Sequence, residues 1–438
     1  MNYTKAFFKY VTQNVCGMIG VSVYLLADTF FISVAGGTDG ITVLNLALPI
    51  YGLIFALGAM IGAGSATYYA LRRAMGERDI EGCFYQAVCR CILISIPITL
   101  AGIFVPDKIM IAMGADAGIL EMAAAYTGTF MAFTPFFIMN NTFTSFARND
   151  GDPTVAMLSS ISGSAFNILF DYIFMFPMGM GVRGAALATG LSPIVSILVS
   201  LLHYFGKKNH IRLVIVRPSL KQFMQCCSLG VSAFIGEISS GITTMVFNFL
   251  LLKLVGNIAV AAYGVTANLA LVCMAIFNGI SQGVQPLLSD CFGRGDVKNL
   301  RHVRRLCLAA AAGAELLLIA VAYGGTDTLI GIFNSEKNPL LVVYAHTGMR
   351  LYFLGYLAAG INIMLISYFA AIGRAGIAFT ASLLRGVAAI SVCALLMSRL
   401  FGINGIWLSF LASETITLLV MAAAVMWSRK KAGRKEKG

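Results

Sequence analysis

Five carboxylic acids stand inside long apolar stretches of this 438-residue chain, where an ionised group is costly unless it faces a cavity or a partner. They are Asp28, Asp171, Glu237, Glu315 and Glu414. An acid withdrawn from water can load and release a proton, or its oxygens can bind a dehydrated hard cation such as sodium. These residue types predict ion binding inside an apolar bundle, and they leave the choice between proton and sodium open.

Two of these acids have the most informative surroundings. Asp171 follows Asn167 by four residues, so that an amide and a carboxylate lie one turn apart on the same helix face. Asp28 lies well inside the first apolar run. We predict a polar spot at each position, with a structural hydrogen bond to a neighbouring helix as the alternative for Asp28.

The other three acids lie in the second half of the chain. Glu237 has no cationic residue near it in sequence, and we expect its side chain to face the interior. Glu315 and Glu414 stand closer to helix ends, where a structural role is the more ordinary interpretation. All three are candidates for function, with packing as the alternative.

The composition predicts that lipid surrounds most of the chain. Hydrophobic residues make up 58% and charged residues only 11%, against about 25% charged in soluble domains. Runs of about 20 nearly uncharged residues recur, and each is long enough to cross a hydrocarbon core of about 30 Å. The net charge of +12 lies mainly in the short connections, which favours a role in membrane topology over binding of nucleic acid.

Apolar runs divide the chain into about twelve predicted transmembrane helices, whose backbone groups a helix satisfies internally. The predicted spans run roughly 14–36, 43–71, 84–106, 119–147, 154–177, 182–205, 223–252, 257–289, 305–325, 343–372, 376–398 and 403–427. About 23 Lys and Arg fall on one face and about five on the other, so the positive-inside rule predicts that both termini are cytoplasmic. We expect a multi-pass protein of the cytoplasmic membrane.

The long basic stretch in the middle divides the chain into two lobes. We predict an amino-terminal six-helix lobe (1–205), a cytoplasmic linker (206–222), a carboxy-terminal six-helix lobe (223–427) and a basic cytoplasmic tail (428–438). Each lobe begins on the same side of the membrane because each has an even number of spans. This arrangement is typical of parallel repeats, which commonly enclose a central site.

Short motifs recur at nearly the same offset in the two halves and support an internal repeat. Gly62 and Gly76-Glu77-Arg78-Asp79 correspond to Gly279 and Gly293-Arg294-Gly295-Asp296, and Gly181-Val182-Arg183-Gly184-Ala185 corresponds to Gly402-Ile403-Asn404-Gly405-Ile406. The predicted fold is therefore an all-α integral membrane protein with two pseudo-symmetric six-helix bundles.

Enzyme chemistry is not indicated by the remaining reactive residues. Ten cysteines are scattered through apolar segments, and four histidines have no ligand-like spacing. A nucleophile with a base, or a metal cluster, would be required for a membrane enzyme. We therefore expect no enzyme activity and no bound cofactor.

Taken in order and at their spacing, four stretches make the chain resemble the multidrug and toxic compound extrusion (MATE) family over about residues 10–427. These stretches are Ala27-Asp28-Thr29-Phe30, Gly151-Asp152-Pro153, the segment from Asn167 to Asp171, and Gly184-Ala185-Ala186-Leu187-Ala188-Thr189. The resemblance implies two six-helix lobes that form a V, with alternating access driven by entry of protons or sodium.

The same resemblance implies which residues couple the ion. Asp28, Asn167, Asp171 and Thr189 would form the ion-coupling cluster of the amino-terminal lobe, with sodium as one candidate ligand. Glu237 matches an acid that some members carry in span seven for cation binding.

The chain departs from the family pattern at two points. The partner acid expected in span ten is missing, and the nearest polar residue there is Asn362, which puts a sodium site in the carboxy-terminal lobe in doubt. The first span lacks the proline on which helix bending depends in some members.

The function that follows from these observations is secondary active transport. We expect an antiporter, monomeric in the bilayer, that exports small organic and often cationic compounds in exchange for protons or sodium. The alternative is a flippase for a lipid-linked saccharide, which would require several cationic residues for a pyrophosphate head. Only Arg385 stands out as a candidate for that role.

Overall fold

The computed structural model describes residues 2–77, 80–333 and 338–435. Arg78 and Asp79 of the first repeat motif lie outside the described residues, as do the side chains of the predicted tail, 428–438. The described part is built from α-helices and one π-helical turn, and it contains no β-strand.

Seven helices form the first half of the chain. They are α1 (Tyr3–Ala74), α2 (Cys83–Phe104), α3 (Pro106–Ala112), α4 (Leu120–Ala132), α5 (Thr134–Asn149), α6 (Pro153–Met175) and α7 (Gly181–Tyr204). Helices α3, α5 and α6 each have a proline in the first turn. Proline is favourable there because the N–H groups of the first turn have no acceptor within the helix, so no hydrogen bond is lost.

Eight further helices follow the middle connection. They are α8 (Leu220–Leu254), α9 (Asn257–Gly293), α10 (Val297–Gly324), α11 (Thr326–Phe333), α12 (Pro339–Phe353), α13 (Tyr356–Ala371), α14 (Ala375–Leu383) and α15 (Ala389–Lys435). A π-helical turn, Leu384–Ala388, joins α14 to α15.

These helices supply twelve spanning segments in the described chain. Eight helices are long and apolar enough to cross a membrane, and the bent pairs α4 with α5 and α12 with α13 pass the same test together. Two of the eight are interrupted by a glycine, α1 at Gly37 and the stretch Ala375–Met426 at Gly402, so each supplies two spans. The predicted all-α membrane fold is confirmed.

The two interrupting glycines have nearly the same backbone conformation. Gly37 has φ 57° and ψ −144°, and Gly402 has φ 57° and ψ −136°. A side chain strains this positive-φ region, so glycine permits one span to turn directly into the next. The six residues expected to separate the first two predicted spans are consequently almost entirely helical.

The repeat motifs of the two halves also share local geometry. Gly181 and Gly402 both have positive φ, 53° and 57°. A Cβ added to Gly184 would meet the backbone of Phe174, and one added to Gly405 would collide with the carbonyl of Met397. At both positions glycine therefore lets a helix lie close to the one before it.

The middle connection is anchored to the first half of the chain. The backbone N–H of His210 donates to Asp150 Oδ2 at 2.7 Å, and Arg212 pairs with Glu81 at 3.2 Å. Ile211 is buried in a cluster with residues of α1, α2 and α5. The connection is irregular from Phe205 to Ser219, and α8 begins at Leu220.

Helices from the two halves meet at the end of the bundle that carries the basic connections. We call this end the basic-loop side. There, a Cβ on Gly64 of α1 would collide with the carbonyl of Cys226, and one on Gly230 of α8 with the carbonyl of Met60. Further along α8, Gly236 has no such neighbour within 4 Å. The halves are thus in close contact on the basic-loop side. Beyond this contact the same face of α8 is exposed at Gly236, Ser240 and Gly241, and we call the space in front of it the cleft.

Candidate functional site

Four predicted site residues come together between three helices of the first half. Asp28 comes from α1, Asn167 and Asp171 from one face of α6, and Thr189 from α7. Their exposed fractions are only 5%, 0%, 0% and 2%. Asn167 Nδ2 donates to Thr189 Oγ1 at 3.0 Å, which fixes the amide oxygen on the side away from the hydroxyl.

Four oxygens of this cluster lack donors. In the described part of the chain, Asp28 Oδ1, Asn167 Oδ1 and both carboxylate oxygens of Asp171 are buried without a hydrogen bond. The carboxyls of Asp28 and Asp171 lie within reach of each other, but two ionised carboxylates are both acceptors. A proton shared between them, or a hard cation among the four oxygens, would satisfy them.

No basic side chain neutralises this pair. Among the described residues, no Lys, Arg or His lies within ion-pair distance of Asp28 or Asp171. Because buried charges are normally paired, the cluster is suited to bind an exchangeable cation. The geometry fits either a proton or sodium, and the role of the four residues in coupling stays a prediction.

Three tyrosines, Tyr24, Tyr51 and Tyr126, surround the carboxyl pair and were not predicted as site residues. The hydroxyls of Tyr24 and Tyr51 lie 3.0 Å apart, and Tyr24 precedes Asp28 by one helical turn. Tyr126 is buried and interacts electrostatically with both acids. The spacing of Tyr24 and Asp28 was the available signal, since residues four apart share a helix face.

The second half contains a polar centre of a different kind. Asn362 of α13 is fully buried, and its Nδ2 donates to Glu414 Oε2 at 2.8 Å. Arg385 Nε, on the π-helical turn, lies 2.7 Å from Glu414 Oε1. Asn362 therefore pairs with an acid of the last span. Glu414, which we had expected to lie near a helix end, stands at the centre of this group.

Glu315 is buried beside this polar centre. Its Oε1 accepts the backbone N–H of Ile361 at 2.9 Å. Gly360 provides the necessary space, because a Cβ there would lie 2.8 Å from the same oxygen. Glu315 is thus satisfied by the backbone of α13.

Glu237 lies apart from both centres. It follows Gly230 by seven residues on α8, so it shares the face that meets α1, two helical turns further into the cleft. Its side chain is exposed, as are Ser240 and Gly241 on the same face. The halves separate before they reach Glu237, so its side chain faces the space between them, and its role stays a prediction.

Comparisons with known proteins agree with this architecture. The multidrug export protein MepA of Staphylococcus saprophyticus is 28% identical over 402 residues, which cover 91% of this chain and 88% of that protein. MepA of Staphylococcus aureus is 25% identical over 422 residues, covering 95% and 92%.

Solved structures share the fold. A multidrug resistance MATE family transporter of the MOP superfamily, in an outward-facing conformation, has a TM-score of 0.91 and 21% identity over 99% of this chain and 97% of that one. A MOP superfamily transporter from Pyrococcus furiosus has a TM-score of 0.90 and 21% identity over the same shares. The sequence model of the MatE family matches residues 15–173 and 233–395, one match in each half. The chain therefore belongs to the MatE, or multidrug and toxic compound extrusion, family.

Proposed function

We propose that this protein is an antiporter that exports small organic, often cationic, compounds in exchange for protons or sodium. The observation that supports this most directly is the pair of buried carboxyls, Asp28 and Asp171, which has no basic partner among the described residues. The names of the relatives, multidrug export proteins, support the direction of transport. The bacterial relatives and the basic connections support a cell-membrane location with both termini cytoplasmic.

The proposed cycle uses the cleft that opens away from the basic-loop side. A proton or sodium ion enters the cleft and binds between Asp28 and Asp171, which removes the repulsion between their charges. The change in charge alters the packing of α1 against α6 and α7, and the organic compound leaves outward. The membrane potential contributes about 2.3 kcal/mol per charge per 100 mV.

The alternative of a lipid-linked saccharide flippase is not favoured by the polar centre of the second half. Recognition of a pyrophosphate head would require free cationic groups in the cleft. Arg385, the candidate for that role, is paired with Glu414 at 2.7 Å and mostly buried. Its charge is therefore already neutralised within the chain. We propose a monomer as the working unit, since both carboxyls come from one chain.

The test of the proposed function is gradient-driven efflux by Asp171→Asn in proteoliposomes. The substitution keeps the size of the side chain but removes the exchangeable charge, so we expect coupled efflux of a fluorescent organic cation to be abolished. Glu121→Gln, an exposed acid of the same half, is the matched control and should transport normally. Collapsing the proton and sodium gradients separately identifies the ion. Undiminished efflux by a monodisperse Asp171→Asn preparation would refute the proposal.

A further inference from the structure

Arg148, like Arg90, is a buried arginine of the first half that has no acidic partner among the described residues. Arg148, in the last turn of α5, is only 6% exposed. Its Nη1 donates to Asn14 Oδ1 at 2.9 Å and to Gln282 Oε1 at 2.8 Å, and its Nη2 donates to Ser145 Oγ at 3.3 Å. Within the described residues, no carboxylate lies at ion-pair distance from it. Its charge is therefore held only by neutral groups.

Acids do lie close to Arg148 in the sequence, but they pair with other groups. Asp150 and Asp152 follow Arg148 within four residues, but both are turned to other groups. Asp150 accepts from Tyr69, Arg73 and His203 and from the backbone of His210. Asp152 accepts from Lys208 at 3.1 Å. The guanidinium of Arg148 thus stays an uncompensated positive charge, because arginine does not lose its proton in proteins.

Arg148 lies in the seam between the two halves. Its partner Gln282 belongs to α9, between Gly279, where a Cβ would lie 2.6 Å from the backbone of Val15, and Gly283, where it would meet Tyr10. Its other partner, Asn14, precedes Asp28 by fourteen residues of α1, or about 21 Å along the helix. The charge therefore stands between the carboxyl pair and the basic-loop side, where the halves are closed.

We propose that Arg148 is an electrostatic barrier that keeps protons and sodium ions from leaking through the closed seam. A fixed positive charge in a medium of low dielectric constant repels a cation that approaches it, as arginines do in some selective pores. The proposal rests on the proposed exchange function, since a leak of the coupling cation through the carrier would dissipate the gradient that drives the exchange. It assigns to Arg148 a part in selectivity, separate from the binding of the coupling ion.

Passive ion flux tests the barrier directly. The full chain is reconstituted in liposomes without organic substrate, and flux under an imposed potential is followed with pH-sensitive or sodium-sensitive dyes inside. Arg148→Gln should raise the flux roughly tenfold or more, since the repulsion is removed. Arg148→Lys keeps the charge and should stay near the wild type.

Arg90→Gln is the matched control for loss of a buried arginine. Arg90 is also buried, and it contacts Gln86 at 2.7 Å and the ring of Phe223, with no carboxylate at ion-pair distance in the described chain. Arg90 also lies where the halves meet, between α2 and α8, but it is outside the contact of α1 with α9 in which Arg148 stands, so its loss should leave the flux unchanged. A leak of equal size in Arg90→Gln would overturn the assignment to Arg148.

Gln282→Glu tests whether Arg148 acts as a barrier or only as a latch, that is, a contact that holds the two halves together. The variant keeps Arg148, so it can be measured even if Arg148→Gln fails to fold. The new carboxylate would stand against the guanidinium and neutralise it. A barrier then weakens and flux rises, whereas a latch would be strengthened by the ion pair and flux would fall or stay the same. Flux at or below the wild-type level in Gln282→Glu overturns the proposal. Because no substrate is present, this result is independent of the efflux assay with Asp171→Asn.

Discussion

The polar centres of the two halves, Asp28 with Asp171 and Glu414 with Arg385, bury their acids in opposite ways. In the first half, Asp28 and Asp171 face each other without a basic residue at ion-pair distance in the described chain, and their oxygens lack donors. In the second half, Glu414 lies 2.7 Å from Arg385 and accepts from Asn362. A buried carboxylate needs a partner of opposite charge or a proton. The polar centre of the second half has that partner within the chain, whereas the Asp28–Asp171 pair must obtain it from solution.

Under the proposed exchange function, this difference predicts which half binds the coupling ion. A carboxylate that is already paired with an arginine of the same chain, as Glu414 is with Arg385, does not need to bind a proton or sodium. A site of unpaired carboxyls changes its net charge, and hence its packing, whenever an ion enters or leaves. We infer that ion coupling is confined to the first half and that the polar centre of the second half stabilises its bundle. The predictions below test this contrast.

The largest expected effect is the loss of stability in Arg385→Met. The substitution leaves Glu414 buried without its cation, and breaking a buried pair in this way costs about 3–5 kcal/mol. We expect the free energy of unfolding in detergent, measured from thermal or denaturant melts, to fall by that amount. Adding Glu414→Leu to Arg385→Met should recover most of the loss, because an apolar pair requires no countercharge. A double variant as unstable as the single one would show that Arg385 acts by packing alone.

The second prediction concerns stabilisation by the coupling ion. An ion that binds only the folded state stabilises it, by about 2.7 kcal/mol at a hundred times its dissociation constant. If the ion is sodium, replacing choline chloride with sodium chloride at fixed pH should raise the melting temperature of the wild type. Asp28→Asn should lose this response, and Glu315→Gln, whose acid accepts from the backbone N–H of Ile361, should keep it.

The change in melting temperature on adding sodium identifies the binding site as well as the ion. A sodium response that survives in Asp28→Asn would place the sodium site outside the first half. If the wild type does not respond to sodium, the carboxyl pair binds protons, and the efflux assay with the proton gradient collapsed provides the independent check.

The third prediction compares the positive-φ glycines Gly181 and Gly402, which occupy corresponding positions in the two halves, by the loss of stability when each is replaced with alanine. Alanine at Gly402, or at Gly181 in the first half, is forced to a positive φ, which costs a residue with a side chain about 1–3 kcal/mol. Gly313→Ala is the control, because this glycine lies within α10 with open space around it and alanine favours helix. Melts of the three variants should show a similar loss at Gly181 and Gly402 and no loss at Gly313. Unequal losses at the first two would argue against equivalent turns.

The sequence predicted the first polar centre better than the second for a physical reason. Asn167 and Asp171 are four residues apart, so helix geometry placed these two together. Asp28 and Thr189 were joined to them by the resemblance to the family. Glu414 and Arg385 come from different spans, and their pairing depends on how those spans pack around a π-helical turn. No spacing in one sequence encodes that contact. A lone Arg and a lone Glu in neighbouring apolar spans were nevertheless a usable signal.

The boundaries of the helices show a similar limit. Apolar runs predicted the number of spans, because lipid selects for length and apolarity. They placed the first span at 14–36, whereas α1 begins at Tyr3. The extra turns carry Lys5 and Lys9, yet Phe7 and Tyr10 are buried in the core shared with α9. Helix that extends beyond the hydrocarbon is stabilised by protein contacts, which hydropathy does not report.

The smallest expected effect is that of Glu237→Gln, the acid that belongs to neither centre. Its side chain is exposed on the cleft face of α8, and attraction between exposed charges is worth about 0.2–1 kcal/mol. We therefore expect the affinity for a cationic substrate to fall about twofold to fivefold, measured by fluorescence titration of the purified protein. A neutral substrate serves as the control and should bind with unchanged affinity. Complete loss of ion-driven transport in Glu237→Gln would contradict the contrast between the halves, because it would show that the second half also couples an ion.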